Sequence, residues 1–407
     1  MLYLLYVAIT RFQRITYAYF PIYKWFTFLI LYLTIEFVVT VSAGIESLGL
    51  SLAIYRNYLF FFSFILYQEL RKSEIRNVII GISIATIVAA IVYVTQPIHH
   101  LAILDNALVS TRNLGELGVR YRNIPELLYF ILIYITIRFD LFKWKSVIIF
   151  SLCGISLVLT QHRGVMIGYV VIILVYIFMS KKTNKAIQYG LIGIVGFMAV
   201  GSTVLARFEN KGRSNTFDDI SYVVNLDYTR AAASGYDDEG GTLAFRVLLF
   251  VERIDYFKSH PQYMLTGVGM RHEDSPKTQR EFDFVLGSRK LDKQTGLWLP
   301  QQIDSGDLVW FTPFMKFGFV GLGLYLYITC LVVFYLFKNR RKGTIAMTTF
   351  LYYFLLIIIS LKNAMLFGAV QISFLFMLIE LIRRTKAQNL DDRIKYQEFR
   401  LLGRNWI

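Results

Sequence analysis

Along most of this chain the apolar residues run on without interruption, instead of recurring at the three-to-four-residue spacing of a half-exposed helix. A bilayer hydrocarbon core of about 30 Å is crossed by about 20 apolar residues in a helix, so runs of this length read as membrane spans. They predict ten spans, near 25–43, 49–68, 77–95, 124–138, 146–160, 164–179, 186–206, 307–337, 344–361 and 364–382. Two connections are long, residues 96–123 and 207–303, and long connections usually carry function. The pattern divides the chain into a bundle over 1–206, a cap loop over 207–303, three further spans over 304–386 and a tail over 387–407. The predicted fold class is all-α integral membrane, with about ten transmembrane helices and one large loop domain.

Basic residues set the orientation. Arg71, Lys72 and Arg76, then Arg138, Lys143 and Lys145, then Lys181, Lys182 and Lys185, then Lys338, Arg340, Arg341 and Lys342 fall in alternate connections. Loops rich in Lys and Arg stay in the cytoplasm. Arg11, Arg14 and Lys24 before the first span, and Arg383, Arg384 and Lys386 after the last, put both termini on that side. The short apolar stretch Leu2 to Ile9 lacks a cleavage pattern, and residues 1–22 read as interfacial. The net charge of +15 is therefore an orientation signal facing anionic lipid, not a nucleic-acid footprint. A composition of 56% hydrophobic and 17% charged residues excludes a soluble globular domain.

Within the cap loop, Phe245 to His260 is the clearest helix. Thr242 can cap it, Leu248, Leu249, Ile254 and Phe257 form an apolar face, and Pro261 ends it. Arg246 and Arg253, seven residues apart, share one face of that helix. Their guanidinium forks either clamp a diphosphate or pair with Glu252, Asp255 and other cap acids. Gly267 and Gly269 either expose backbone amides to an anion or simply make a turn.

Ionisable groups at membrane depth are costly, which singles out Glu36, Arg56, Arg163 and Lys316. Glu36 and Arg56 lie in adjacent spans and can neutralise one another. Arg163 sits in a tight hairpin on the side where basic residues are scarce, as an anion ligand or a headgroup anchor. Asp304 and Asp307 stand three apart as the chain re-enters the membrane; on a helix they would share a face, as a general base with its support or as helix caps. The five histidines lack zinc-like spacing, Cys153 and Cys330 both fall in predicted spans, and no P-loop or HExxH motif occurs, so neither metal nor cofactor is expected.

Three motifs, in order, resemble the O-antigen ligase and polymerase superfamily. His162-Arg163-Gly164 resembles its Ser-Arg-Gly. Arg246 with Phe250, then His260-Pro261 and Gly267-x-Gly269, resembles its Arg-x3-Trp, Pro and Gly-x-Gly. Asp307 followed by Gly318 and Gly321 resembles the segment where ligases carry a His before Gly-x-x-Gly. The resemblance covers roughly 145–325. Phe250 in place of Trp is a mild departure; Asp307 in place of His favours a repeat-unit polymerase over a ligase.

The resemblance implies a GT-C-like fold in the bacterial inner membrane, N-in and C-in, with the loop domain and the active site facing the periplasm. It implies metal-independent, inverting-type glycosyl transfer from a polyprenyl-diphosphate-linked oligosaccharide. Arg163, Arg246 and Arg253, with Gly267 and Gly269, would hold the diphosphate, while Asp307, supported by Asp304, would deprotonate the acceptor hydroxyl. The implied partners are the lipid-linked glycan, membrane lipids and a chain-length regulator, with no nucleic acid. A ligase acting on lipid A-core or protein is the alternative within the superfamily. A lipid-linked oligosaccharide flippase is the alternative outside it, against which the single unrepeated loop domain counts.

Overall fold

The computed structural model describes residues 20–99, 111–113, 119–121, 125, 127–139, 143–159, 163–180, 188, 225, 243–287, 289–291, 298–305, 308–361 and 364–402. The described chain is predominantly helical. In order, the helices are α1 (Pro21–Ser42), α2 (Leu48–Tyr58), α3 (Ser63–Glu69), α4 (Lys72–His99), α5 (Leu128–Arg138), α6 (Trp144–Leu159), α7 (Arg163–Ser180), α8 (Leu243–Ser259), α9 (Gln262–Thr266), α10 (Pro276–Glu281), α11 (Phe311–Asn339), α12 (Thr344–Ile359) and α13 (Ala369–Leu402). Two three-residue hairpins accompany them, β1 (Thr111–Asn113) with β2 (Val119–Tyr121) and β3 (Arg289–Leu291) with β4 (Trp298–Pro300), both antiparallel.

Among the described residues, four stretches are long and apolar enough to cross a membrane: Pro21–Ser42, Leu48–Glu69, Lys72–Gln96 and Phe311–Lys342. The second is continuous because a single 3-10 turn, Leu59–Phe62, joins α2 to α3. Shorter apolar helices stand where 124–138, 146–160, 164–179 and 344–361 were expected, and α13 takes in 364–382 from Ala369 onward. The expected span 186–206 and nearly all of the segment 1–22 lie outside the described residues. The ends of α1 and α2 follow local rules: Pro21 sits in the first turn of α1, Gly44 at φ 65° closes its far end, and the Ser47 side chain accepts from the Leu50 amide to cap α2.

Helix α12 is the centre of the bundle, packing on α5, α7, α11 and α13, while α1 packs on α2 and α11. Aromatic contacts fill the interior: the Tyr23 ring stacks on Phe64 at 4.8 Å, and Phe26 meets Phe376 edge-on at 4.6 Å. At the end bearing the basic loops, Glu380 is fully buried and accepts from Tyr23 Oη at 3.0 Å, Arg383 Nη2 at 2.7 Å and Arg384 Nε at 2.7 Å. Arg384 Nη2 also donates to the carbonyls of Tyr67 and Gln68, satisfying the last turn of α3. Glu36 lies beside Tyr32, and it forms no ion pair with the exposed Arg56.

The cap has its own core. Phe245, Leu248, Leu249 and Phe257 of α8 pack with Val268, Phe282, Phe284, Leu286 and Ile303, and with Phe311, Phe314 and Met315 from the start of α11. As expected, α8 stops just before Pro261. Helix α11 begins at Phe311, not at 307, and its first two turns belong to the cap core, whereas Phe317 and Tyr325 belong to the bundle core. The boundary is Gly318, where φ 60° and ψ −156° break the helix.

Candidate functional site

The site is built where the cap meets the end of α1, the start of α2 and the start of α11. At the Gly318 break the helical ladder opens and its carbonyls need other donors. The Val268 amide donates to the Met315 carbonyl at 2.9 Å, the Gly269 amide to the Lys316 carbonyl at 3.0 Å, and Tyr32 Oη to the Phe317 carbonyl at 3.3 Å. A Cβ at Gly318 would collide with the Leu265 carbonyl, and one at Gly267 with the backbone of Lys316. Both glycines also have positive φ. The Gly267 and Gly269 amides, read from the sequence as open to an anion or as part of a turn, are both taken up within the protein: that of Gly267 donates to the Tyr263 carbonyl, and that of Gly269 to the broken helix.

The next segment fastens the cap to the α1–α2 turn. The Met270 amide donates to Thr40 Oγ1 at 3.0 Å, Ser51 Oγ to the Met270 carbonyl at 3.4 Å, and Lys277 Nζ to the Gly44 carbonyl at 2.7 Å. Buried Glu46 accepts from the Ser47 amide at 2.8 Å and the His272 amide at 3.4 Å. From there Glu273 turns inward and accepts the amides of Gln302, Ile303 and Asp304 at 2.5, 2.9 and 3.0 Å. Burial pushes its carboxyl above the usual range, opposed by those three bonds.

This anchoring sets Asp304 against Lys316. The buried ammonium lies 2.7 Å from the Asp304 carboxylate, which is one-third exposed, and it also feels Tyr58 and Glu273. The result is a buried cation with its counter-ion facing outward. Asp304 is not on a helix, because α11 starts seven residues later, so the shared helical face expected for Asp304 and Asp307 is not formed at Asp304. Asp307 lies outside the described residues.

The arginines divide. Arg253 has no exposed surface: it pairs with Glu252, donates to the Leu286 and Gln301 carbonyls, and lies 4.1 Å from the Phe284 ring centre and 5.2 Å from that of Phe311. Of its two sequence readings, the structure shows pairing with the neighbouring acid. Burial lowers the guanidinium to about 10, against the pull of Glu252 and Glu273, so it stays cationic at neutral pH. Arg246, two turns earlier on α8, is also buried. Arg163 opens α7 at the cap end of the bundle: Gly168, five residues on, lies against Ile358 and Ile359 of α12, whose neighbour Ser360 accepts from Trp310 Nε1 at 3.0 Å. Sequence reasoning missed Glu273 and gave Lys316 no role.

The family model described as O-antigen ligase matches residues 148–326. That segment is similar to the O-antigen ligase family. The match supports a likeness to the O-antigen ligase and polymerase superfamily, and its limits fall within a few residues of the motif region read from the sequence. The matched segment runs from α6 through the cap to the first half of α11, so it contains the Gly318 break, the Glu273 cradle and the Asp304–Lys316 pair. No curated protein matches the chain. The match indicates a glycosyltransferase-like enzyme of the ligase and polymerase type in a multi-pass membrane protein, a class that acts on lipid-linked glycans.

Proposed function

We propose that this chain is a surface-polysaccharide repeat-unit polymerase. It transfers a polyprenyl-diphosphate-linked glycan onto the sugar end of a second lipid-linked repeat unit, at the periplasmic face of a bacterial inner membrane. The observation that carries the polymerase reading is Asp307, a carboxylate where ligases of the superfamily hold a His. In this reading the chain is N-in and C-in, with the bundle, cap, C-terminal spans and tail divided at 206, 303 and 386, and a chain-length regulator is a further partner. Asp307 takes the proton of the acceptor hydroxyl, and the oxygen attacks the anomeric carbon with inversion. The diphosphate departs with the bond's electrons, its charge held by Arg163 and Arg246. Asp304, fixed by Lys316, supports the base, and Arg253 keeps α8 in place from within the cap core. The energy comes from the lipid diphosphate, without metal or nucleotide.

Deletion of the protein tests this at the level of surface glycan. The expected profile is acceptor carrying a single repeat and no long chains; acceptor carrying no repeat identifies the ligase alternative, and lipid-linked chains left inside identify a flippase. Asp307→Asn, in protein that inserts normally, is expected to lower polymerisation by about 10²–10⁴, the range of a lost general base. Single cysteines at Ser234 and Lys342 test the topology: an impermeant thiol reagent applied from the periplasmic side should label the first and spare the second.

A further inference from the structure

Helix α9 carries no buried residue. Within it Met264 is 37% exposed and Leu265 64%, although both belong to a segment bonded tightly at its end. Apolar side chains held rigidly outward need a partner phase.

Their depth follows from α11. Phe319 to Asn339, below the Gly318 break, rise about 31 Å at 1.5 Å per residue, close to the roughly 30 Å of a hydrocarbon core. The lower limit is marked by Lys338, Arg340, Arg341 and Lys342. Gly318 therefore lies at the opposite hydrocarbon boundary. The Leu265 carbonyl lies against Gly318, and the Val268 and Gly269 amides are bonded to carbonyls one turn above it, so α9 sits at that boundary too.

The surface is continuous. Phe319 and Val320, the first residues below the break, are 42% and 47% exposed on the lipid-facing side of the span. Next to Leu265 in the chain, the rings of Tyr256, His260 and Tyr263 lie nearly parallel and only partly buried, with Tyr256 and His260 4.2 Å apart and Tyr263 Oη donating to Glu281. Amphipathic rings of this kind belong at headgroup level.

We propose that α9 is a wedge inserted in the membrane: Met264 and Leu265 enter the acyl-chain region of the cap-side leaflet, and Tyr256, His260 and Tyr263 occupy the headgroup layer above them. The partner is the bulk leaflet, because the wedge continues the lipid-facing surface of α11 at the depth where acyl chains begin. Part of the cap loop thus re-enters the bilayer. The glycine pair fixes its depth, since the amides around Gly267 and Gly269 set α9 against the broken span.

The test uses full-length protein with Cys153 and Cys330 replaced by Ala, and a nitroxide label on Leu265→Cys or, as aqueous reference, on Lys258→Cys, which is exposed on α8. In vesicles of phosphatidylcholine with one-quarter phosphatidylglycerol, power saturation compares collision with oxygen and with a water-soluble nickel chelate. The label at 265 is expected to favour oxygen and the label at 258 the nickel chelate. Equal nickel access at the two positions overturns the wedge. So does a label at 265 shielded from both reagents, which would place the side chain against protein.

Discussion

The two ends of the bundle handle buried charge in opposite ways. At the basic end, Glu380 is paired within its own helix, to Arg383 and Arg384 at three and four residues' distance, and its remaining lone pairs meet Tyr23. That cluster is saturated and closed. At the cap end, the charges come from segments far apart in the chain: Glu273 is consumed by three amides, Lys316 is buried, and Asp304 presents a carboxylate one-third open to the outside. A closed cluster supports structure; one that assembles remote segments around an accessible carboxylate is where chemistry can be placed.

The largest effect is expected at the closed end. Glu380→Ala strands two guanidinium groups and a buried Tyr hydroxyl, at a cost of about 3 kcal/mol, the lower end for a broken buried pair because both arginines are partly exposed. Thermal unfolding in detergent should show the loss, while polymer formed per folded molecule stays unchanged; a fall in that specific activity would erase the contrast between the two ends.

Gly318→Ala comes next. A Cβ there meets the Leu265 carbonyl in a left-handed backbone, a strain of about 1–3 kcal/mol. Relief requires the cap to lift from α11, so proteolysis within the cap should accelerate and polymer length fall together. Acceleration without loss of polymer would separate the site from the break.

Lys316→Met reverses the Glu380 result. Asp304 is open enough for water to replace its partner, so the stability change is held to about 1 kcal/mol. Polymerisation should nevertheless drop severely, with recovery in Lys316→Arg. Normal polymer in Lys316→Met would reduce the pair to a structural tie.

The smallest effect is a pH dependence. Burial tends to raise Glu281, but the bonds from Arg271 outweigh it and hold the carboxyl below its usual range. A carboxyl lower in the folded state contributes stability that is present above the ordinary Glu value near about 4.3 and is lost as pH falls below it. With Glu281 more than one-third exposed, the contribution is under about 1 kcal/mol. Unfolding measured from neutral pH down to about pH 3 should show a slightly shallower acid limb in Arg271→Met.

What was legible in the sequence was what depends on neighbours in the chain. The long apolar runs marked the four described stretches long enough to cross a membrane, Pro261 fixed the end of α8, and Glu252 beside Arg253 offered the pair the structure contains. The cap-end cluster was not legible in the same way. Glu273 is bound by residues about thirty positions on, and Asp304 by a lysine twelve away, separations with no helical or strand period behind them. Gly318 was visible only as part of a motif. That it breaks α11, and that Gly267 and Gly269 exist to fill the break, depends on a contact between segments some fifty residues apart.

The core of the cap has a consequence for the order of events during synthesis. Phe311, Phe314 and Met315 complete a core whose other members are made earlier, and the Val268 and Gly269 amides find acceptors only once α11 is broken at Gly318. The cap therefore emerges from the ribosome unfinished, with Phe245, Leu248 and Phe257 lacking their last neighbours until α11 has followed them. A nascent chain arrested before residue 311 should leave the cap sensitive to protease, and one arrested well after residue 339 should leave it resistant: the span that ends the domain also closes it.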